Sequence, residues 1–415
     1  MNIVLIGMRG SGKSTIGKIL SQKLKTDLIE TDSLIEKSEG QKINTIVQKN
    51  GWNYFRNVER NVISGLKDKD NVVIATGGGM VLDRKNINIL NKNGLLIYLQ
   101  TSSDELFKRI KDTKERPFLT KTSSMKEDIK NTFKLRKKLY ENAADMIIDT
   151  QSIDLKRFTS DTQLFGVIGN PVSQSLSPLM HNAAFKKLDL NCIFFAIQIL
   201  NLKKSLQGLK MLGFSGLSVT IPFKIEVMKY LDRLEETAKN IGAVNTILLR
   251  NNKLFGTNTD WIGAIKALEE KINLSDKTVT LLGDGGASRA IAYGLKGKNA
   301  KVTVLNRKKL QQQDQLAKIK KANIIINATP VGMAPHENQL PIPRDLVTKQ
   351  HLIFDIVFKP RETKLLKAAK RKGATIVYGD RMLLYQAVEQ FKLFTGLDAP
   401  IEIMEKALSD NLSNF

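Results

Sequence analysis

Lys13 and Ser14 close the run Gly7-Met8-Arg9-Gly10-Ser11-Gly12-Lys13-Ser14-Thr15, which satisfies G-x-x-x-x-G-K-[ST]. Asn2 to Ile6 before it reads as a short buried strand, and Ile16, Ile19, Leu20 and Leu24 after it share one helix face. Strand, glycine loop and helix in that order are the setting of a phosphate-binding loop. Gly10, Ser11 and Gly12 let backbone N–H groups turn around a phosphate, and the helix start adds partial positive charge. Lys13 reaches the β- and γ-phosphates, the Ser14 hydroxyl sits where Mg²⁺ is held, and Thr15 completes the loop. Glu30 and Asp32 stand two apart at a predicted strand end, on one side of it. Such carboxylates hold Mg²⁺ through water or accept the proton of an attacking hydroxyl. Asp32 is equally suited to cap the helix that follows. Gly77, Gly78 and Gly79 end the apolar run 71–75 and allow close backbone approach to a ligand. The polar segment from Lys111 to Lys126 reads as a closing loop, and Arg116 within it can stabilise charge on a transferring phosphoryl group.

The second half carries a different chemistry. Ser175 and Ser177 lie just ahead of a helix containing Met180, Ala183, Ala184 and Phe185, a position that suits a carboxylate ligand or plain capping. Lys224 and Asp260 are the only charged residues in two turn motifs, Gly216 to Lys224 and Gly256 to Asp260. A Lys–Asp pair can move a proton to or from an alkoxide while a hydride is transferred, although Lys224 taken alone fits a solvated turn. Thr278 to Leu282 reads as a strand, and Gly283-Asp284-Gly285-Gly286-Ala287 opens a helix. A second strand, Lys301 to Leu305, ends in Asn306-Arg307-Lys308-Lys309. This is a βαβ unit of Rossmann type. An acidic residue at the second strand's end would favour NAD, whereas Asn306, Arg307 and Lys308 favour the 2′-phosphate of NADP.

The elements that must position these residues alternate strand and helix, which predicts α/β architecture with parallel sheets. With 415 residues, two or three domains are expected. The predicted order is a phosphate-loop kinase domain with a parallel sheet (1–150) and a polar linker (151–162). An α/β substrate domain (163–262, rejoined by closing helices at 385–415) and a Rossmann-type NADP-binding domain (263–384) follow. One cysteine, Cys192, excludes an internal disulfide framework and fits a reducing compartment, so a cytoplasmic location is expected. No apolar run approaches the ~18 residues of a membrane span. A glycine loop beginning at residue 7 leaves no room for a signal peptide. The net charge of +24 is spread over both halves without interleaved aromatics, and reads as a lysine-rich solvated surface rather than a nucleic-acid site.

Taken together, Gly7 to Thr15, Thr-Asp32, Phe-Arg56-x-x-Glu59, Gly77-Gly-Gly79, Arg116-Pro and Arg136-x-x-x-Tyr140 resemble shikimate kinase over nearly the whole first half. The resemblance implies that Asp32 binds the acceptor hydroxyls and accepts the proton. It implies that Arg56 and Arg136 hold the substrate carboxylate, that Gly78 contacts shikimate, and that Arg116 sits on the ATP phosphates. Guanidinium forks suit a carboxylate bidentately. This chain has Glu30 where the family usually has Asp, and residues 150–162 leave little room for the family's last helix. The second half resembles shikimate dehydrogenase through Ser175-x-Ser177-Pro, Val-Thr220-Ile-Pro-x-Lys224, Gly-Ala-Val-Asn245-Thr, Asn258-Thr-Asp260, Gly-x-Gly-Gly-Ala, Asn306-Arg307, Asn327-Ala-Thr-Pro and Met382-Leu-x-Tyr-Gln386. By resemblance, Ser175 and Ser177 bind the substrate carboxylate, while Thr220, Asn245 and Gln386 bind its hydroxyls. Lys224 and Asp260 are the catalytic pair, and Gly379 joins the NADP site. Three departures are Phe358 for the family's frequent Tyr, Asp284 for Ala, and a short connection from Lys308 to Asn323 that predicts a trimmed strand–helix unit.

The expected function is bifunctional: NADPH-dependent reduction of 3-dehydroshikimate, then phosphorylation of shikimate by Mg-ATP. Small molecules are the expected partners, with neither nucleic acid nor membrane, and oligomeric state stays open. The alternatives are another hydroxy-acid kinase fused to a quinate-type dehydrogenase, or a nucleic-acid-binding ATPase.

Overall fold

The computed structural model describes residues 1–111, 118–120, 122, 124–151, 157–306 and 312–412. It divides into two compact units, the first Met1–Ser173 with Asn191–Phe214, the second Gln174–Leu190 with Ser215–Phe415. Compactness therefore divides the chain differently from the motif boundaries: residues 163–173 and 191–214 belong to the first unit.

In the first unit, strands β1 (Asn2–Ile6), β2 (Leu28–Glu30), β3 (Val73–Ala75), β4 (Gly94–Gln100) and β5 (Met146–Asp149) form a parallel sheet in the order β2-β3-β1-β4-β5. β1 is buried at every position, as a central parallel strand covered by helices on both faces must be. The sheet does not stop at β5. Strand β7 (Cys192–Ile199) pairs antiparallel with it, Ile147 opposite Gln198, and β6 (Gln163–Gly169) pairs parallel with β7. Asp145 pins this junction. Its backbone oxygen accepts from Leu200 N, Asn201 N and Ser205 Oγ. Its carboxylate accepts from Leu96 N at 2.9 Å and meets Lys204 Nζ at 2.7 Å. The helix Leu202–Met211 packs so tightly that a Cβ on Gly208 would lie 2.1 Å from Leu95 Cδ2.

The described part of the expected linker is anchored rather than free. Phe158 and Thr162 are buried, and Phe158 meets the ring of Phe195 edge-on. Lys23 Nζ donates to the backbone oxygens of Ser160 and Thr162 at 3.1 and 3.0 Å.

The second unit holds strands β8 (Phe214–Val219, from Ser215 onward), β9 (Arg233–Leu234), β10 (Thr246–Arg250) and β11 (Lys253–Thr257), ordered β8-β10-β11-β9. β10 is antiparallel to both β8 and β11. A separate five-stranded parallel sheet follows, from β12 (Thr278–Leu282), β13 (Lys301–Leu305), β14 (Ile324–Asn327), β15 (Leu352–Asp355) and β16 (Thr375–Tyr378), in the order β13-β12-β14-β15-β16. A full doubly wound sheet has two strands beyond its first on that side. Among the described residues, this one has β13 there alone, and β13 is connected to β14 through the single helix Gln313–Lys321. The trimmed unit predicted from the short connection is what the sheet order displays.

Candidate active sites

In the first unit the chain leaves β1 through the glycine loop. Gly10 and Gly12 have φ of 82° and 93°, a left-handed backbone that glycine adopts without a Cβ penalty. Gly12 then caps the helix Lys13–Leu24. Lys13 is buried and folds back along its own loop, its Nζ donating to Gly7 O and Met8 O at 3.0 and 2.9 Å. Ser14 and Thr15 are exposed at the first turn. Ser11 Oγ is buried with no hydrogen-bond partner among the described residues, an orphaned donor inside the loop. That orphan and the left-handed glycines fit a phosphate group.

Glu30 and Asp32 are placed differently from the sequence expectation. Glu30 ends β2, but Asp32 belongs to the first turn of the helix Thr31–Glu39, so the two carboxylates do not share one side of a strand. Thr31, where the helix begins, is tied inward: its Oγ1 accepts from Gly77 N at 2.8 Å. Nor does Asp32 cap the helix, since the cap position is Glu30.

A Cβ on Gly77 would lie 2.5 Å from Asp32 Oδ1, and one on Gly79 would lie 2.1 Å from an Arg56 guanidinium nitrogen. Gly78 lies over the phosphate loop, its Cβ site 3.4 Å from Arg9 N. Its carbonyl accepts from Arg136 at 3.0 Å and from the Tyr140 hydroxyl. Asp32, Arg56, Gly78 and Arg136 are thus gathered at the carboxyl ends of β1 and β3.

Arg56 also bonds Glu59 Oε2 at 2.6 Å, and its guanidinium lies 5.4 Å from the Trp52 ring. Glu59 is 1% exposed, and burial pushes its carboxyl above the usual range against the pull of Arg56. Its Oε1 has no hydrogen-bond partner among the described residues. Sequence reasoning placed Glu59 within a motif and gave it no role; the signal was its spacing of three from Arg56 on a helix. Burial draws the Arg136 guanidinium below its usual range, with Tyr140 opposing the shift. Arg116 lies outside the described residues. What is described of the predicted lid is held by Asp128, which accepts from Leu119 N and from both Thr120 N and Oγ1 at 2.9, 2.6 and 2.7 Å.

In the second unit, Lys224 Nζ and Asp260 Oδ2 are hydrogen-bonded, though 36 residues apart. Asp260 starts the helix Asp260–Glu269, and Asn258 Oδ1 accepts from its backbone N–H at 2.9 Å. Asn245, just before β10, donates through Nδ2 to Asp260 Oδ1 at 2.9 Å, to Thr259 Oγ1 at 2.9 Å and to Gln386 Oε1 at 3.3 Å. Asn245 Oδ1 accepts from Thr259 N at 2.7 Å. One amide therefore joins two other predicted residues, Asp260 and Gln386, and Thr259, which the sequence reading did not single out, is the third partner. Ser177 is buried as the first residue of the helix Ser177–Lys187, and Ser175 Oγ accepts from its N–H at 3.4 Å. Neither serine caps that helix; the cap position is Leu176. Thr220 is half-buried at the end of β8.

The dinucleotide turn sits against this pair. A Cβ on Gly286 would lie 2.8 Å from Lys224 Cβ. Gly283 has φ of 109° and packs on Ala328 O, Gly285 faces open space, and the helix Gly286–Gly297 begins at once, with Ala287 in its first turn. Open backbone at Gly285 ahead of a helix start fits a dinucleotide phosphate. Asp284 is exposed. Asn306 follows β13 directly, while Arg307 and Lys308 lie outside the described residues. Gly379 is buried against Ile356 O, where a Cβ would come within 2.4 Å.

Among the described residues no cluster of three or more His, Cys, Asp or Glu could hold a metal ion. No helix of the described residues is long and apolar enough to cross a membrane.

Residues 9–161 match the family model of shikimate kinase. Residues 167–247 match that of the shikimate dehydrogenase substrate binding domain, and residues 381–408 that of the shikimate 5′-dehydrogenase C-terminal domain. The NADP(+) shikimate dehydrogenase of Aquifex aeolicus is 42% identical over 267 residues, 60% of this chain and 98% of the relative. That of Methanocaldococcus jannaschii is 41% identical over 278 residues, 61% of this chain and 98% of the relative. Among solved structures, the Thermus thermophilus shikimate 5-dehydrogenase in complex with NADP(H) and shikimate is similar with a TM-score of 0.56 at 34% identity, covering 60% of this chain and 99% of that one.

Proposed function

Since the chain belongs to the shikimate dehydrogenase family and carries a shikimate kinase domain ahead of it, we propose that one polypeptide performs two consecutive steps, reduction of 3-dehydroshikimate and phosphorylation of the shikimate formed. NADPH supplies the hydride, and Mg-ATP the phosphoryl group. The observation that carries the reading is the hydrogen-bonded Lys224–Asp260 pair lying against the first helix turn of the dinucleotide fold.

In the dehydrogenase, Ser175 and Ser177 take the substrate carboxylate, and Thr220, Asn245 and Gln386 take its hydroxyls. The Lys224 side chain gives a proton to the ketone oxygen as the carbon accepts hydride, and its hydrogen bond to Asp260 aims it. Asn245 holds Asp260 and Gln386 in register, so the partner of the general acid and a substrate ligand are set by one side chain. Gly283 to Ala287 face the pyrophosphate, Asn306 with Arg307 and Lys308 the 2′-phosphate, and Gly379 the nicotinamide end.

In the kinase, Arg56 and Arg136 hold the carboxylate and Asp32 accepts the proton of the attacking hydroxyl. Glu59 Oε1, buried and unpartnered among the described residues, is an acceptor for a second substrate hydroxyl. Lys13 and the loop Gly10 to Thr15 hold the phosphates, and Arg116 closes over them. Mg²⁺ would be held by Ser14 and the nucleotide, with Glu30 reaching it through water. That donor set needs no protein carboxylate cluster. A chain with one cysteine and these cofactors works in the cytoplasm.

The test supplies 3-dehydroshikimate, NADPH, ATP and Mg²⁺ to the purified chain. NADPH oxidation followed by ADP release is expected. Lys224→Ala abolishes the first, and Lys13→Ala abolishes only the second when shikimate is supplied. Tight, steeply salt-dependent nucleic-acid binding with no turnover would overturn the reading.

A further inference from the structure

Asp355 takes no part in the chemistry above, yet it is fully buried at the carboxyl end of β15. Its Oδ1 accepts from Asn327 Nδ2 at 2.9 Å and from Val357 N at 3.1 Å. Its Oδ2 accepts from Thr363 Oγ1 at 2.6 Å. The donors belong to two loops, Asn327 to the one after β14, and Val357 and Thr363 to the start and end of the one after β15. Asn327 ends β14 and fixes the loop after it, accepting from Thr329 N and Oγ1 at 3.1 and 2.6 Å and donating to Val331 O at 3.0 Å. Val357 lies in the loop after β15. Thr363 caps the helix Lys364–Arg371, its Oγ1 accepting from Leu366 N.

Both strand-end loops are in contact with the dinucleotide turn or with Gly379. A Cβ on Gly283 would lie 2.9 Å from Ala328 O, and one on Gly379 would lie 2.4 Å from Ile356 O and 2.8 Å from Asp355 O. Ligands of a parallel α/β sheet bind outside the carboxyl ends of its strands, which is where these loops are. We propose that Asp355 is a positioning residue for the dinucleotide: one carboxylate, bonded from behind to the loops after β14 and β15, sets the backbone on which the cofactor rests.

The chemistry of the group supports this. Burial pushes the Asp355 carboxyl up to about 6, against its three hydrogen bonds. A buried carboxylate bonded only by neutral donors is costly, and a neutral anchor would hold two strands together at less expense. What a carboxylate offers that an amide does not is acceptance of three bonds at two oxygens with no donor of its own. Asparagine at this position can keep Oδ1 for Asn327 and Val357 only by turning its N–H₂ toward Thr363, whose hydroxyl then accepts instead of donating, so the bond to the helix cap is reversed and weakened.

The inference rests on the dehydrogenase reading, and the test separates the two. NADP⁺ binding to the full-length protein is measured by titration calorimetry for wild type, Asp355→Asn, Asp355→Leu and Thr363→Val. The dehydrogenase KM for its ketone substrate, kinase turnover and the unfolding transition are followed in parallel. The expected result is an NADP⁺ dissociation constant raised at least about tenfold in Asp355→Leu and severalfold in the other two, with the ketone KM and kinase turnover within about twofold. Should Asp355→Leu fail to fold, Asp355→Asn and Thr363→Val decide, because both keep the local volume. Unchanged NADP⁺ affinity with a lowered unfolding midpoint would overturn the inference and leave Asp355 a structural anchor. Wild-type protein that does not bind NADP⁺ would overturn the functional reading and this inference together.

Discussion

His181 sits on the helix Ser177–Lys187, four residues after Ser177, and is 0% exposed. The rings of Phe185, Phe391 and Phe394 surround it at 6.2, 6.2 and 5.8 Å between centroids. Desolvation in that apolar cage pushes its pKa from 6.5 down to about 3. The sign follows from proton binding. Between those two values the unfolded chain holds a proton on this residue and the folded chain does not, so stability rises with pH. The contribution is complete above the unfolded value and is lost as pH falls toward the folded one. At about pH 5 the loss is roughly 2 kcal/mol, from about 1.4 kcal/mol per unit of pH below 6.5. His181→Leu removes the titration at nearly constant volume. Placed in a Trp52→Phe background, Trp261 becomes the only tryptophan and reports on the second unit alone. Urea unfolding of both proteins at about pH 8 and about pH 5 then gives two stability differences. Packing losses are common to both, and the difference shifts by roughly 2 kcal/mol in favour of the leucine variant at the lower pH. A difference that is the same at both pH values would refute the argument that a neutral, desolvated imidazole is part of this core.

Three further substitutions follow from close contacts. Gly286→Ala places a methyl against Lys224 Cβ, too near its backbone to be absorbed by the side-chain tip, so dehydrogenase kcat falls by about a hundredfold while kinase turnover is unchanged. Gly79→Ala displaces only the far end of Arg56, so the protein stays folded and the kinase KM for shikimate rises by roughly ten- to a hundredfold, the worth of a charge-assisted hydrogen bond. Gly208→Ala drives a Cβ into Leu95 and lowers the stability of the first unit by about 1–3 kcal/mol, read as an earlier loss of kinase activity on heating with shikimate KM unchanged at low temperature.

Several features were legible in the sequence because their physics is local. Gly10 and Gly12 announce left-handed turns wherever they stand between a strand and a helix, and Lys13 follows at a fixed offset. The glycine turn at 283–287 with its flanking strands is of the same kind, and the missing strand–helix unit could be read from a chain too short to contain one. The Lys224–Asp260 pair came from residue type and from resemblance, and the fold joins it across 36 positions. Asp32 was misplaced by one element. Its alternation with Glu30 matched a strand, but the hydrogen bond from Gly77 N–H to Thr31 Oγ1, invisible in one dimension, accompanies the switch to helix.

The sequence by itself determined the phosphate loop and the dinucleotide turn, and its residue types and resemblance implied a carboxylate-binding acceptor site beside the first and a proton-transfer pair beside the second. Tertiary structure alone decided why Gly77 and Gly79 must be glycine, that Glu59 Oε1 waits buried beside Arg56, and that Asp355 braces the loops behind the cofactor turn. Those are properties of what lies opposite a residue in space. The same reason hid the pairing of β5 with β7. A strand edge presents backbone N–H and C=O groups that are alike in every sequence, so nothing along residues 146–149 names Cys192–Ile199 as the strand that satisfies them.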